Sequence, residues 1–262
     1  MRKAHALFVT GTDTGVGKTV VAAGLVAAWR RRGVDAVGFK PVETGVPGFG
    51  NAATHDGAQR WPACGAVPAD GISLAAASDW CASLPEVVAE AFPAPLAPAV
   101  AAEQAGVALE PAKLKSAFEA LAARHDLVVV EGAGGLAVAL TRDYDTADFV
   151  RELGIPLLVV CRPNLGTLNH TRLTVHYAHM KGISTLGLVV NGMPPEQDHA
   201  AYAADPALNS NPRELEAQTG LPLLATLPNN STKVATPAEA ATLIAANLDL
   251  EALQNQLKKG TS

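Results

Sequence analysis

The chain is poor in cysteine, in net positive charge and in long apolar runs, and each shortage excludes something. Its three cysteines, Cys64, Cys81 and Cys161, have no metal-type spacing, and an odd number argues against a disulfide framework. A formal net charge of −5 offers no electrostatic footprint for nucleic acid. The basic triplet Arg30, Arg31 and Arg32 falls where the first helix should end, and there it complements the helix dipole. No run approaches ~18 apolar residues, so no membrane span is expected. MRKAHALFVTG passes straight into a strand and a glycine turn, without the apolar segment and cleavage site of a leader. A cytoplasmic protein without membrane or nucleic-acid partners is expected.

What the chain has is an alternation. Short apolar runs at Ala6–Thr10, Ala36–Phe39, Leu127–Val130, Leu157–Val160, Leu186–Val190 and Leu223–Ala225 are separated by helical stretches. The latter are Thr19–Arg31, Pro111–Ala123, Thr146–Leu153, Thr167–Lys181 and Arg213–Thr219. Several strand runs are continuously apolar, as befits strands covered on both faces. The pattern predicts a single α/β domain with a doubly wound, mostly parallel sheet of the P-loop NTPase type. Residues 46–98, rich in Ala, Pro and Gly, read as an irregular active-site region with one or two short helices. Residues 249–262 read as a terminal helix and tail.

GTDTGVGKT (11–19) fits the phosphate-loop pattern G-x-x-x-x-G-K-T, with Gly11 or Thr12 opening the turn. Its apolar strand before and Ala-rich helix after are the required context. Thr14, Gly15, Val16, Gly17, Lys18, Thr19 and Val20 are therefore assigned to nucleotide binding. Backbone N–H groups curl around the phosphates, Lys18 reaches the β- and γ-phosphates, and the Thr19 hydroxyl meets Mg²⁺. ATPase switches of the partitioning and septum-positioning kind carry an extra lysine early in this loop. Asp13 stands there instead, which argues against a switch.

Two strand ends add chemistry. In GFKPVETG (38–45), Lys40 lies at the carboxyl edge of its strand, where ligands bind in open α/β sheets. Pro41 is expected to stop that strand and Thr44-Gly45 to begin a turn. A lone lysine at a strand end reads first as a solvated charge. Its location, on a strand expected beside the loop strand, shifts the reading toward the site. In VVVEGAGG (128–135), Glu131 follows a buried run at the position where a carboxylate meets Mg²⁺. Gly132, Ala133 and Gly134 after it allow a nucleotide or substrate close to the backbone. His170, His176 and His179 share one predicted helix, but no cysteine or acid completes a zinc set.

GTDTGVGKT, KPVETG, VEGAGG, NLGTLNHT and LVVNG occur here in an order that resembles the dethiobiotin synthetases, enzymes of biotin synthesis. The likeness spans nearly the whole chain and is densest over 7–45, 127–140 and 157–192. It implies a seven-stranded, mostly parallel sheet and a homodimer with active sites at the interface. It also implies a ligase that joins CO₂ to 7,8-diaminopelargonic acid with MgATP as co-substrate. By this resemblance Lys40 is the catalytic lysine beside carbamate and γ-phosphate, and Lys18 assists from the loop. Thr44 falls on the diamine or carbamate, and Thr19, Asp56 and Glu131 on the metal. The base is implied to lie between Asn191-Gly192 and Leu227-Pro228-Asn229. The substrate carboxylate is implied at the helix start formed by Gly166, Thr167, Leu168 and Asn169 of the second subunit. The chain departs from the family at PLAPA, where Ala97 and Ala99 replace the Ser and His of some members. A P-loop ATPase switch and a cobyrinate-like amide synthetase are the other readings. The latter usually has a further amidotransferase domain, for which 262 residues leave no room.

Overall fold

The computed structural model describes residues 4–46, 69–229 and 236–259. Strand β1 (His5–Gly11) leads into helix α1 (Lys18–Arg31) and strand β2 (Ala36–Thr44). Then come α2 (Ala69–Ala77), α3 (Leu84–Val87), β3 (Val88–Phe92), α4 (Pro98–Gln104) and α5 (Pro111–Ala122). Strand β4 (Leu127–Gly135) is followed by a small hairpin, β5 (Ala139–Thr141) and β6 (Tyr144–Asp145), and by α6 (Thr146–Leu153). The chain continues through β7 (Leu157–Cys161), α7 (Thr167–Met180), β8 (Thr185–Met193) and α8 (His199–Ala204). A short 3-10 turn (Pro206–Asn209), α9 (Asn211–Thr219), β9 (Leu223–Pro228), α10 (Pro237–Asn247) and α11 (Leu250–Lys259) complete it.

Seven strands form one sheet in the order β3-β2-β4-β1-β7-β8-β9, with every pairing among them parallel. Successive residues of β2 show how both faces are covered. Gly38 lies under Leu74 of α2, while the Phe39 ring meets Phe118 of α5 at 6.3 Å between centroids. Neighbouring positions on a strand point to opposite faces, so α2 and α5 lie on opposite sides of the sheet. Helix α1 packs with α2 and α10, and α5 packs with α6. The middle strands are buried along most of their length, which accounts for their unbroken apolar runs. No helix among the described residues is long and apolar enough to cross a membrane.

The order of strands corrects one expectation. Strand β2 is not beside β1, because β4 lies between them and pairs with both. The first crossover skips one position, and β4 returns to fill it. Lys40 therefore faces the phosphate loop across Glu131's strand. Pro41 does not stop β2 either. Pairing with β4 ends at Phe39↔Val130, and beyond it β2 continues to Thr44 against β3 alone. A proline is tolerated where one side of the ladder is already open. Strand β3 itself was not anticipated. The irregular region contains, among its described residues, α2, α3 and this edge strand. Glu131 sits within β4, which runs on to Gly135, rather than just after it.

Local signals mark the helices well. Asp145 caps α6, its Oδ1 accepting the Asp148 N–H at 2.8 Å, and Asp148 returns a bond to the Asp145 N–H. The same carboxylate accepts the Tyr177 hydroxyl and pairs with Lys181, so it ties α6 to α7. Loss of an acidic N-cap costs ~0.5–2 kcal/mol. Asp145→Ala should therefore lower unfolding stability by ~1–2 kcal/mol, measured as a lower denaturation midpoint at unchanged slope.

Candidate active site

The sheet's strand order reverses around β1 and β4, and ligands of open α/β sheets bind outside the carboxyl ends at such a point. The loop Thr12–Gly17 leaves β1 there. Three of its backbone carbonyls are held by side chains. Lys18 Nζ donates to the Asp13 carbonyl at 3.0 Å, Arg162 Nη2 to that of Thr14 at 2.8 Å, and Asn191 Nδ2 to that of Val16 at 2.9 Å. With these carbonyls occupied, the loop's N–H groups are the groups left to an anion. Gly17 makes this closeness possible, since a Cβ there would lie 2.0 Å from Asn191 Nδ2, and its φ is +95°. Lys18 is buried, and that burial lowers its pKa against the pull of Glu131.

Beside the loop four side chains converge. Thr19 Oγ1 donates within 2.8 Å of Glu131 Oε1 and lies 2.9 Å from Asp70 Oδ1. Lys40 Nζ donates to Asp70 Oδ2 at 2.7 Å and to Glu131 Oε1 at 2.8 Å. Lys40 is 3% exposed and Glu131 fully buried. Burial works against the Lys40 ammonium, but Glu131 and Asp70 outweigh it and hold its pKa above that of an ordinary lysine. Burial alone would raise the Asp70 carboxyl, yet the adjacent Lys40 keeps it below the usual range. Glu131 Oε2 is buried without a hydrogen-bond partner. A buried carboxylate oxygen without a donor is costly, and a cation is the natural occupant of its lone pairs. With the Thr19 hydroxyl and Asp70, it forms an all-oxygen donor set of the kind that suits Mg²⁺.

Sequence reasoning therefore located Lys18, Thr19, Lys40 and Glu131, and the fold brings them together. It missed Asp70, which opens the apolar stretch DGISLAAA; an acid in the first turn of that helix was the available signal. It also missed Glu43 and Arg162. Asp56 lies outside the described residues. Thr44 is half-buried at the end of β2. Gly132 is in the same strand segment as Glu131, and its carbonyl lies 3.5 Å from Lys40 Nζ. Ala133 and Gly134 continue toward the loop. Asn191 reaches the loop from β8, Gly192 follows it, and β9 brings Leu227 and Pro228 alongside. Asn229 N–H donates to the Met193 carbonyl at 2.6 Å.

Gly166 is the left-handed N-cap of α7, so Thr167, Leu168 and Asn169 form its first turn as expected. A cleft of about 210 Å³ separates this start from Thr12 and Asp13, with Arg162 and His170 on its walls. His176 and His179 instead line a separate groove between α7 and α9. Ala97 caps α4 through its backbone only. At the far ends of β2 and β4, Asp35, Cys81 and His125 gather their ligand atoms within 4.8 Å. Arg30 already fills that cluster, donating to Asp35 at 3.1 Å and lying 3.7 Å from Cys81 Sγ. It is an arginine-centred ion network.

Comparison with known proteins bears on this geometry. Residues 5–236 match a family model described as an AAA domain. The chain is 45% identical over 223 residues to an ATP-dependent dethiobiotin synthetase of Anaeromyxobacter dehalogenans, covering 85% of this chain and 89% of that one. It is 36% identical over 257 residues to the Bacillus licheniformis protein of the same name, covering 97% of each. Among solved structures it is similar in fold to the Pyrococcus furiosus cell division ATPase MinD. That match has a TM-score of 0.53 at 18% identity and covers 93% of this chain and 99% of that one. A similarity so low in sequence speaks only for the P-loop α/β fold. The relatives in sequence cover most of the chain, and the chain belongs to the ATP-dependent dethiobiotin synthetase family.

Proposed function

We propose that this protein is a ligase that closes a ureido ring on 7,8-diaminopelargonic acid, using CO₂ and ATP and releasing ADP and phosphate. The observation that carries this reading is the placement of a second buried lysine, Lys40, beside the phosphate loop and against Glu131. A hydrolytic switch has to orient one water. A ligase must bring an anionic carbamate against an anionic triphosphate, which calls for converging positive charge.

One amine of the substrate takes up CO₂ and loses a proton, giving a carbamate. A carbamate oxygen attacks the γ-phosphorus and ADP leaves, giving a carbamic–phosphoric anhydride. The second amine then attacks the carbonyl carbon, phosphate departs and the ring closes. Lys18 and the loop N–H groups hold the triphosphate. Lys40 lies where charge builds between carbamate and γ-phosphate, and its raised pKa keeps it an ammonium. Thr44, at the end of the same strand, would hold the diamine side. Thr19, Glu131 and Asp70 would hold Mg²⁺, which supplies charge neutralisation on the phosphates when bound. Asn191, Gly192 and Leu227–Asn229 would border the base.

The start of α7, where the helix dipole favours an anion, suits the substrate carboxylate. Leu165 is 84% exposed beside it and Leu173 60% exposed further along. A second copy of the chain covering this face would bury them and bring Gly166–Asn169 toward the partner's site, as a homodimer.

With ¹³C-bicarbonate, the diamine and MgATP, the expected product is the diamine plus one labelled CO₂, less one water, seen by mass spectrometry. Labelled carbon left only in bicarbonate while ADP accumulates would refute the ligase and favour the switch.

A further inference from the structure

We infer that Glu43 is a positioning residue, fixing the start of α2 so that Asp70 stands against Thr19 and Lys40. This rests on the reading of Asp70 as an oxygen donor to Mg²⁺.

Both oxygens of Glu43 are committed to the helix start. Oε1 accepts the Asp70 N–H at 3.1 Å and Oε2 the Gly71 N–H at 2.9 Å. These are among the N–H groups that a helix leaves unpaired at its first turn, and the dipole there favours a carboxylate. Glu43 reaches them from 27 residues away in sequence, on the strand that also carries Lys40. So β2 grips Asp70 twice, by its side chain through Lys40 and by its main chain through Glu43. The grip is tight. A Cβ at Gly71 would lie 2.2 Å from Val88 Cγ2 and 3.3 Å from Glu43 Oε2, so the helix start is pressed onto β2 and β3.

A surface cap would need no burial, yet Glu43 is only 6% exposed. Taking a carboxylate out of water is expensive. Two backbone bonds only partly offset that cost. Stability is therefore a poor reason for a glutamate here, whereas a fixed carboxylate at Asp70 is a specific return. Partners that orient a metal-binding group change metal affinity ~10–100-fold when removed.

The test measures Mn²⁺ binding to the ADP-loaded protein by electron paramagnetic resonance, beside ADP binding in EDTA. Asp70→Asn sets the loss expected when the donor itself is weakened. Glu43→Ala should weaken Mn²⁺ binding ~10-fold or more while ADP affinity in EDTA stays within about twofold. Glu43→Gln keeps one carbonyl acceptor and should fall between Glu43→Ala and the parent; it carries the test if Glu43→Ala does not fold. If Asp70→Asn weakens Mn²⁺ binding but neither Glu43 variant does, Glu43 does not position Asp70 and the inference fails alone. If Asp70→Asn leaves Mn²⁺ binding unchanged, the metal reading of Asp70 falls and the inference with it.

Discussion

Replacement of Lys40 by alanine is expected to lower turnover ~10²–10³-fold, equivalent to ~3–4 kcal/mol of transition-state stabilisation. The ammonium is 3% exposed and already desolvated, with Glu131 and Asp70 fixing its position before any substrate arrives. A charge held in place needs no reorganisation during the reaction, and that is the source of its large effect. The loss should fall on the chemical step. ADP binding in EDTA should change little, because Lys18 and the loop contacts through Arg162 and Asn191 remain. Lys40→Arg should not restore the rate, since a planar guanidinium cannot replace a compact ammonium between two carboxylates. Steady-state rates at saturating substrates decide the matter; turnover within about threefold of the parent would remove Lys40 from the transition state.

Glu131→Gln should produce the second large effect, on metal dependence. The amide oxygen can still accept from Thr19 and Lys40, so the fold around it survives. What changes is the buried, unpartnered Oε2, which becomes an NH₂ donor facing the place a cation would take. An unsatisfied buried donor costs ~1–3 kcal/mol, and a donor group repels a cation outright. The Mg²⁺ concentration for half-maximal rate should rise ~100-fold, the upper end of what even indirect partners of a metal produce. A magnesium titration of activity checks this. An unchanged midpoint would place the metal elsewhere.

The two effects concern residues that were legible in the sequence for a physical reason. Lys40 and Glu131 each stand at or near the carboxyl end of an apolar run, and the sheet's architecture makes those ends the site; Lys18 was marked by the phosphate-loop pattern. The runs themselves were legible because buried parallel strands must be apolar throughout. Asp70 was not legible in this way. Its partners Thr19 and Lys40 are 51 and 30 positions distant, and a single acid in the first turn of a helix carries no mark of a site. Asp56 was preferred on resemblance alone.

The error at Pro41 had a different source. A proline ends a strand only where its missing N–H would have been used, and β2 has neighbours on one side only by that point. Likewise β3 escaped notice because VAEAF is a short edge strand, half of whose ladder is absent, so Glu90 is tolerated in it. The strand order was beyond reach of the sequence for a simpler reason. Whether β2 or β4 lies next to β1 depends on which crossover skips a place, and no local signal records that.

The ring-closing assignment itself is tested most directly by ADP release in an omission series. With MgATP present throughout, ADP should form only when diamine and bicarbonate are both supplied, at one ADP per ring closed. ADP formed at the same rate without the diamine would contradict it.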